Sequence, residues 1–318
     1  MKAVVQDVYG DSEVLRLSDI DTPEPGDDEV RVAVRAAGVN MADWHLMTGR
    51  PALVRLVLGF RAPKNPVRGQ DVAGVIDAVG PGVTALAVGD EVFGEASGSF
   101  AEFVVTRADQ LVLKPANVTF EQAAAVPMGG YTALQALRAA GDIDGRKVAV
   151  SGAGGGVGSA VVQLAHARGA HVTAVCSAGK ADFVRSLGAD EVVDYATTDV
   201  TAGAHTFDAV FDFAGGRSIA RWRRVMVPGG VLVLGGDEEG GAILGPLGRS
   251  FTGLIPRGIR VITLMANTKP EDLKELARLV TDGTLKATVA RSYPLAETAT
   301  AIDDLRAARY PGKLVIVP

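Results

Sequence analysis

Apolar and polar positions are most regularly patterned between residues 147 and 195. Lys147–Ser151 is a short β-branched run that enters a glycine cluster at 152–158. Val157, Val161, Leu164 and Ala165 then recur at helical spacing, Gly169 stands where that helix stops, and His171–Cys176 is a second β-rich run. Recurrence every three to four residues marks one face of a helix, and short apolar runs bounded by glycine mark buried strands. The order is strand, glycine turn, helix, strand, the length and pattern of a βαβ unit.

The chain before this unit reads differently. Residues 4–8 and 14–17 resemble a pair of strands, and 21–27 holds two prolines and a glycine, which form a turn. Residues 29–36 alternate, with Val30, Val32 and Val34 on one face. Further short strands at 69–79, 89–94 and 100–106, each bounded by turn residues, predict a compact barrel-like β domain. Residues 38–66 break the pattern and predict a short helix with a long loop, the kind of segment that lines sites or merely covers a core. Thr119 followed by Gln122 reads as a helix cap ahead of an Ala-rich run.

After residue 195 the α/β alternation resumes. Strands are predicted at 207–213, 231–234 and 258–265, with a helix at 217–227. Residues 270–282 carry Leu273, Leu276, Leu279 and Val280 on one stripe, 295–308 forms a second helix, and Lys313–Val317 is a last strand, a candidate to return to the β domain. Strands joined by helical crossovers argue for a parallel sheet covered on both faces.

The glycine turn suggests a ligand. Ala153, Gly155 and Gly158 give AxGxxG, with Gly154 and Gly156 as extras. Ala fits the first position if φ there is negative. Gly155 and Gly156, with Val157, admit phosphates to the backbone, and Gly158 admits the helix to the strand. Such a turn directs amide groups and the positive helix end at one spot, suited to a pyrophosphate. A glycine-rich connection without a ligand is the plain alternative. An NAD site places an acid about 20 residues past the glycines. Here Ser177 and Lys180 occupy that turn instead, and a hydroxyl with an ammonium suits a ribose 2′-phosphate. NADPH is therefore the expected coenzyme, unless Lys180 is an ordinary solvated lysine. Gly215, Gly235 and Gly236, at strand ends, either let a ribose and ring lie close to the backbone or are plain turn glycines.

Composition narrows the class. The chain has 318 residues, 47% hydrophobic, with a net charge of −5 and one cysteine. The acidic balance offers no basic face for nucleic acid. No apolar run approaches the roughly 20 residues that span a bilayer, and the first residues lack a signal-peptide core. With one cysteine, a disulfide within the chain and a multi-cysteine zinc site are excluded. A cytoplasmic two-domain protein is expected.

The segments GVNMADWHLMTG, RGQDVAGVIDAVGPGV, GDEVFG, AAAVPMGGYTAL, AGGGVGSAVVQLAHARGA, LGADEVVDY and GKLVIV together resemble the medium-chain dehydrogenase/reductase superfamily, in its zinc-independent quinone oxidoreductase branch. The resemblance covers nearly the whole chain. It implies an α/β architecture: a GroES-like β-barrel catalytic domain of residues 1–122 and 266–318, and a Rossmann NADPH-binding domain of residues 123–265. It implies a homodimer joined along the 258–265 strand. Zinc members carry Cys where this chain has Asn40 and Gly-His-Glu where it has Gly69-Gln70-Asp71, so no metal is expected. Without a Lewis acid, reduction of a quinone or a conjugated enone is easier than alcohol oxidation, because the acceptor delocalises the charge itself.

The same resemblance assigns roles. Thr132 bonds the nicotinamide, Asn40 lies beside its ribose or the substrate oxygen, and Ser177, Lys180 and Tyr195 surround the adenosine end. Trp44, Phe60 and Tyr131 are substrate-facing candidates, Tyr131 with packing as its alternative. His45 replaces a tyrosine common in the family and is either a proton donor or a half-buried polar contact. Two further readings stay open: an enoyl-thioester or polyketide-tailoring enoyl reductase, and a non-catalytic NADPH-binding protein.

Overall fold

The computed structural model describes residues 1–50, 55–203, 206–235 and 258–318. Contacts divide the chain into two compact units. One comprises Met1–Tyr131 with Thr268–Pro318, and the other Thr132–Asn267. The joins thus fall at 131/132 and 267/268, where the sequence reading placed them at 122/123 and 265/266. Strands β1 (Lys2–Val5), β2 (Arg16–Asp19) and β3 (Glu29–Val39) come first. Helices α1 (Met41–Thr48) and α2 (Arg55–Leu58) follow, then β4 (Asp71–Val79), β5 (Glu91–Glu95), β6 (Phe103–Arg107) and β7 (Leu111–Leu113). Helices α3 (Phe120–Ala124) and α4 (Pro127–Ala140) lead to β8 (Lys147–Ser151), α5 (Gly156–Ala167), β9 (His171–Cys176), α6 (Ala181–Ser186) and β10 (Glu191–Asp194). Then come β11 (Phe207–Asp212), α7 (Ile219–Arg223), β12 (Met226–Leu234) and β13 (Arg260–Thr263). The chain closes with α8 (Pro270–Thr281), β14 (Val289–Pro294), α9 (Thr298–Arg306) and β15 (Lys313–Val317).

In the first unit β3 is the spine. Its alternation buries Val30, Val32 and Val34 in the core, each such burial contributing about 1.5–3 kcal/mol. One edge of β3 pairs with β4; the other is shared, residues 29–33 on β6 and 37–39 on β15. The last strand therefore does return to the β unit. Pairing runs β14-β15-β3-β4-β5-β7, and among the described residues no ladder joins β7 to β14, so the barrel-like sheet stays open. α3 packs on β3 and β4, which keeps residues 120–131 with this unit. Its expected cap forms: the Thr119 hydroxyl accepts from the Gln122 amide at 3.2 Å, and the Gln122 side chain accepts from the Thr119 amide at 2.9 Å. The predicted stripe on α8 is buried, and Leu276 packs against Gly130, where a Cβ would lie 2.6 Å from it.

The second unit is a six-stranded sheet of order β10-β9-β8-β11-β12-β13, parallel throughout. The order reverses between β8 and β11, the switch point beyond whose strand ends ligands bind in open α/β sheets. The helix predicted at 217–227 is shorter, Ile219–Arg223, capped by the Ser218 hydroxyl, and β12 already starts at Met226. Parallel pairing of Met226 with Phe207 outcompetes helix continuation there. Likewise the second C-terminal helix is a short 3-10 turn at Leu295–Glu297 followed by α9.

Candidate active site

The glycine turn connects β8 to α5. Gly152 carries the reversal with φ +78°, while Ala153 is buried outside the left-handed region, as an alanine at the first motif position requires. Gly155 is the extended N-cap residue and its amide donates to the Gly152 carbonyl at 3.0 Å. The amides of Gly156, Val157 and Gly158 form the first turn of a twelve-residue helix, where backbone donors lack partners within the helix. A Cβ at Gly158 would lie 2.1 Å from the Gly152 carbonyl oxygen and 2.8 Å from the Ala153 Cα. Only glycine allows α5 to approach the strand so closely. This cradle fits a pyrophosphate.

At the end of β9, Ser177 and Lys180 are half-buried, and the Lys180 amide donates to the Ser177 carbonyl at 2.9 Å. The Lys180 stem runs over the glycine turn, 2.5 Å from where a Gly154 Cβ would stand. Tyr195 is exposed, and its amide donates to the Cys176 carbonyl at 3.2 Å. The structure thus brings Ser177, Lys180 and Tyr195 to one end of the sheet. It adds Asp194, a residue the motif reading did not single out, opposite Cys176 in the β9–β10 register. Asp194 turns one oxygen onto the Ala196 amide at 3.1 Å. Gly215 and Gly235 lie at the ends of β11 and β12. The Gly215 amide donates to Asp212 Oδ1 at 3.2 Å, the Trp222 indole donates to Asp212 Oδ2 at 3.0 Å, and the Gly235 amide donates to the Asp212 carbonyl at 3.1 Å. Asp212 therefore ties both strand-end turns together. Gly236 lies outside the described residues.

In the β-rich unit a buried polar cluster surrounds Asn40. Asn40 caps α1, and its backbone amide donates to Asp43 Oδ2 at 2.8 Å. Its side-chain amide donates to Asp71 Oδ2 at 2.9 Å, and its oxygen accepts from the Lys313 ammonium. Lys313 Nζ also lies 3.1 Å from Asp71 Oδ2, with side chains 5% and 0% exposed. The Met128 amide, on α4, donates to Asp71 Oδ1 at 3.0 Å. Both ends of the Asn40 side chain are thus engaged by protein groups. Burial pushes the Asp43 carboxyl up to about 7, against the Asn40 amide. Burial, and then the Asp71 charge, push Glu95 up to about 7, opposed by the Tyr131 phenol. Burial likewise raises the Tyr131 phenol, so it holds its proton.

The remaining candidates separate by environment. Trp44 is a core residue, 3% exposed, packed in the β-unit core beneath the Arg306 guanidinium. His45 is buried edge-on to Trp44, with Nδ1 3.3 Å from the Arg50 carbonyl. Phe60 is 75% exposed. Tyr131 is buried and Thr132, next on α4, is half-buried. Lys313 and Glu95 are the groups missed from sequence. The pairing of β15 with β3 and of β5 with β4 brings them in from distant positions.

Comparison with known proteins places this arrangement. An alcohol dehydrogenase GroES-like domain model matches residues 26–116, and a zinc-binding dehydrogenase model matches residues 187–316. The chain is 33% identical over 337 residues to a 2-methylene-furan-3-one reductase of Solanum lycopersicum, covering all of this chain and 79% of the relative. It is 34% identical over 337 residues to an NADPH-dependent alkenal/one oxidoreductase of Arabidopsis thaliana, covering all of this chain and 80% of the relative. A quinone oxidoreductase structure from Coxiella burnetii superposes with a TM-score of 0.90 at 29% identity, covering 100% of this chain and 99% of that one. The chain belongs to the medium-chain dehydrogenase/reductase superfamily, in its quinone oxidoreductase-like branch.

For a member of this superfamily the Asn40 cluster has an unusual donor set. A catalytic zinc takes about three Cys, His or carboxylate ligands. Here those positions hold the Asn40 and Gln70 amides and the Asp71 carboxylate, with the Lys313 ammonium against Asn40 and Asp71, and among the described residues no group of three or more His, Cys, Asp or Glu is placed to hold a metal. The Lys313 ammonium already takes the Asp71 oxygen that faces Asn40. These residues do not fit a zinc ion.

Proposed function

We propose that this chain is an NADPH-dependent reductase that passes a hydride to a quinone or an α,β-unsaturated carbonyl, without zinc. The observation that carries the reading is the glycine cradle of α5 with Ser177 and Lys180 at the adjoining strand end. The relatives named for alkenal and quinone reduction support the acceptor class. Bound there, the coenzyme supplies the hydride. The Gly156, Val157 and Gly158 amides hold its pyrophosphate. Lys180 and Ser177 bind the 2′-phosphate by charge-assisted hydrogen bonds, with Tyr195 beside the adenine. Thr132 orients the nicotinamide, and Gly215 and Gly235 leave room at the strand ends. Asn40, fixed by Asp71 and Lys313, positions the start of α1 rather than offering a free amide. The Asp71–Lys313 pair supports the zinc-free assignment, since a fixed ammonium opposes a second cation. β13, the last strand of its sheet among the described residues, supports a homodimer, and the single cysteine suits a reducing, cytoplasmic setting.

The test is coenzyme oxidation with NADPH and NADH against a small quinone, an alkenal and an enoyl-CoA ester. NADPH should have the lower KM, and Lys180→Ala should remove most of that preference. Equal KM values in the wild-type protein would refute the 2′-phosphate assignment. Turnover confined to the thioester would favour the enoyl reductase reading.

A further inference from the structure

We propose that Asp212 is a positioning residue for the coenzyme: anchored to the Trp222 indole, it holds the turn at residues 213–216 against the glycine cradle. The inference rests on the reductase reading above and adds a residue to the coenzyme site of that reading.

Asp212 ends β11, and in the ladder it stands beside Ser151, which ends β8. These are the two strands between which the sheet order reverses. Asp212 is fully buried, and a polar group in that setting is costly unless it is hydrogen-bonded. Its two side-chain oxygens face different elements. Oδ2 accepts from the Trp222 indole at 3.0 Å, and that ring is fully buried in the core under α7. Oδ1 accepts from the Gly215 amide at 3.2 Å. One carboxylate thus links a fixed core ring to a surface turn. Gly215 and Gly216 carry φ values of +69° and +76°, two left-handed residues in succession. Glycine enters that region about as readily as the right-handed one. Its own preference leaves the turn undecided, and the Asp212 oxygen selects this form.

The turn so held abuts the cradle. The Phe213 amide donates to the Ser151 carbonyl at 3.1 Å. At the next residue, Gly152, a Cβ would lie 3.1 Å from the Ala214 amide nitrogen and 3.4 Å from the Ala214 Cβ. The Gly152 carbonyl in turn accepts from the Gly155 amide at 3.0 Å. A shift of residues 213–215 therefore reaches the peptide that sets the start of α5. The path from Trp222 through Asp212, the turn and Gly152 to Gly155 lies within one compact unit. It ends at the glycines, which serve NADPH and NADH alike, and not at Ser177 and Lys180, which tell them apart.

The experiment measures Kd for NADPH and for NADH by titrating coenzyme fluorescence, with the melting temperature of each variant alongside. Asp212→Asn keeps the shape but turns one oxygen into a donor, so either the Gly215 amide or the Trp222 indole loses its acceptor. Both Kd values should rise about tenfold, the loss of one hydrogen bond to a charged group, and their ratio should stay within twofold of wild type. Trp222→Phe keeps an aromatic ring without the N–H and should weaken both coenzymes in the same way. The double variant should bind no more weakly than Asp212→Asn alone, because both changes break one linkage. Gly216→Ala places a Cβ that meets nothing within 4 Å and strains only the turn backbone. It should also weaken both coenzymes, and it serves as the test if the Asp212 variants do not fold. An Asp212→Asn protein with a lowered melting temperature but both Kd values within twofold of wild type would make the residue merely structural and overturn the proposal. Weakening of NADPH alone would overturn it too. If the wild type binds neither coenzyme, the reductase reading itself fails, and the role of Asp212 falls with it.

Discussion

Replacing Lys313 by Met keeps most of the buried stem and deletes the charge. Its ammonium lies 3.1 Å from Asp71 Oδ2 and is also hydrogen-bonded to Asn40, with both charged side chains almost fully buried. Removing one partner of a buried ion pair leaves the other charge uncompensated and costs about 3–5 kcal/mol. The pH dependence follows from Asp71. Burial already raises its carboxyl, and the Lys313 charge is the strongest influence opposing that rise. Without the ammonium the folded-state value rises further above the unfolded value of about 3.9. A carboxyl raised in the folded state keeps its contribution below the unfolded value and loses it as pH rises. The deficit of Lys313→Met should therefore be larger at pH 8 than at pH 5. Hydrogen exchange of peptides covering β3, β4 and β15 reads this unit separately from the sheet of the other. The double variant Lys313→Met with Asp71→Asn should recover part of the loss. A deficit below about 1 kcal/mol, a loss independent of pH, or a double variant no better than the single would refute the reasoning.

Two further outcomes are expected. Gly158→Ala places a Cβ 2.1 Å from a backbone oxygen, an overpacking cost of about 1–3 kcal/mol. NADPH affinity, read by fluorescence titration, should weaken at least about tenfold as the cradle opens; unchanged affinity would remove the close-approach argument. The Asp43 carboxyl, raised by burial to about 7 in the folded chain, contributes stability that is lost as pH rises through that value. Urea unfolding should therefore show a weaker β-rich unit at pH 8 than at pH 6, and Asp43→Asn should flatten the difference.

The backbone of the glycine turn was legible in the sequence because it is contiguous. Strand, glycines and helix are consecutive, so spacing alone placed Ala153, Gly155 and Gly158, and the structure gives each the backbone its position needs. The alternation at 29–36 and the stripe on 270–282 were legible for the same reason, since period 2 and period 3.6 are local properties. The helix predicted at 217–227 stops short because propensity does not register that Met226 pairs with Phe207, a tertiary contact. Trp44 packs into the core under Arg306, 262 residues away in the chain, a contact that no local pattern around residue 44 records.

By itself, the amino-acid order determined the alternation of elements, the glycine turn and the family, all carried by residues close together in sequence. Only the folded chain decided which charges meet. Lys313 reaches Asp71 and Asn40 across the β15–β3 ladder, and Glu95 faces Asp71 across β4–β5. Pairing between strands depends on register and on the whole sheet, and no window of sequence records it. The buried charge pairing of the β-rich unit is therefore set by tertiary contacts, while the glycine turn of the other unit is set by a local motif.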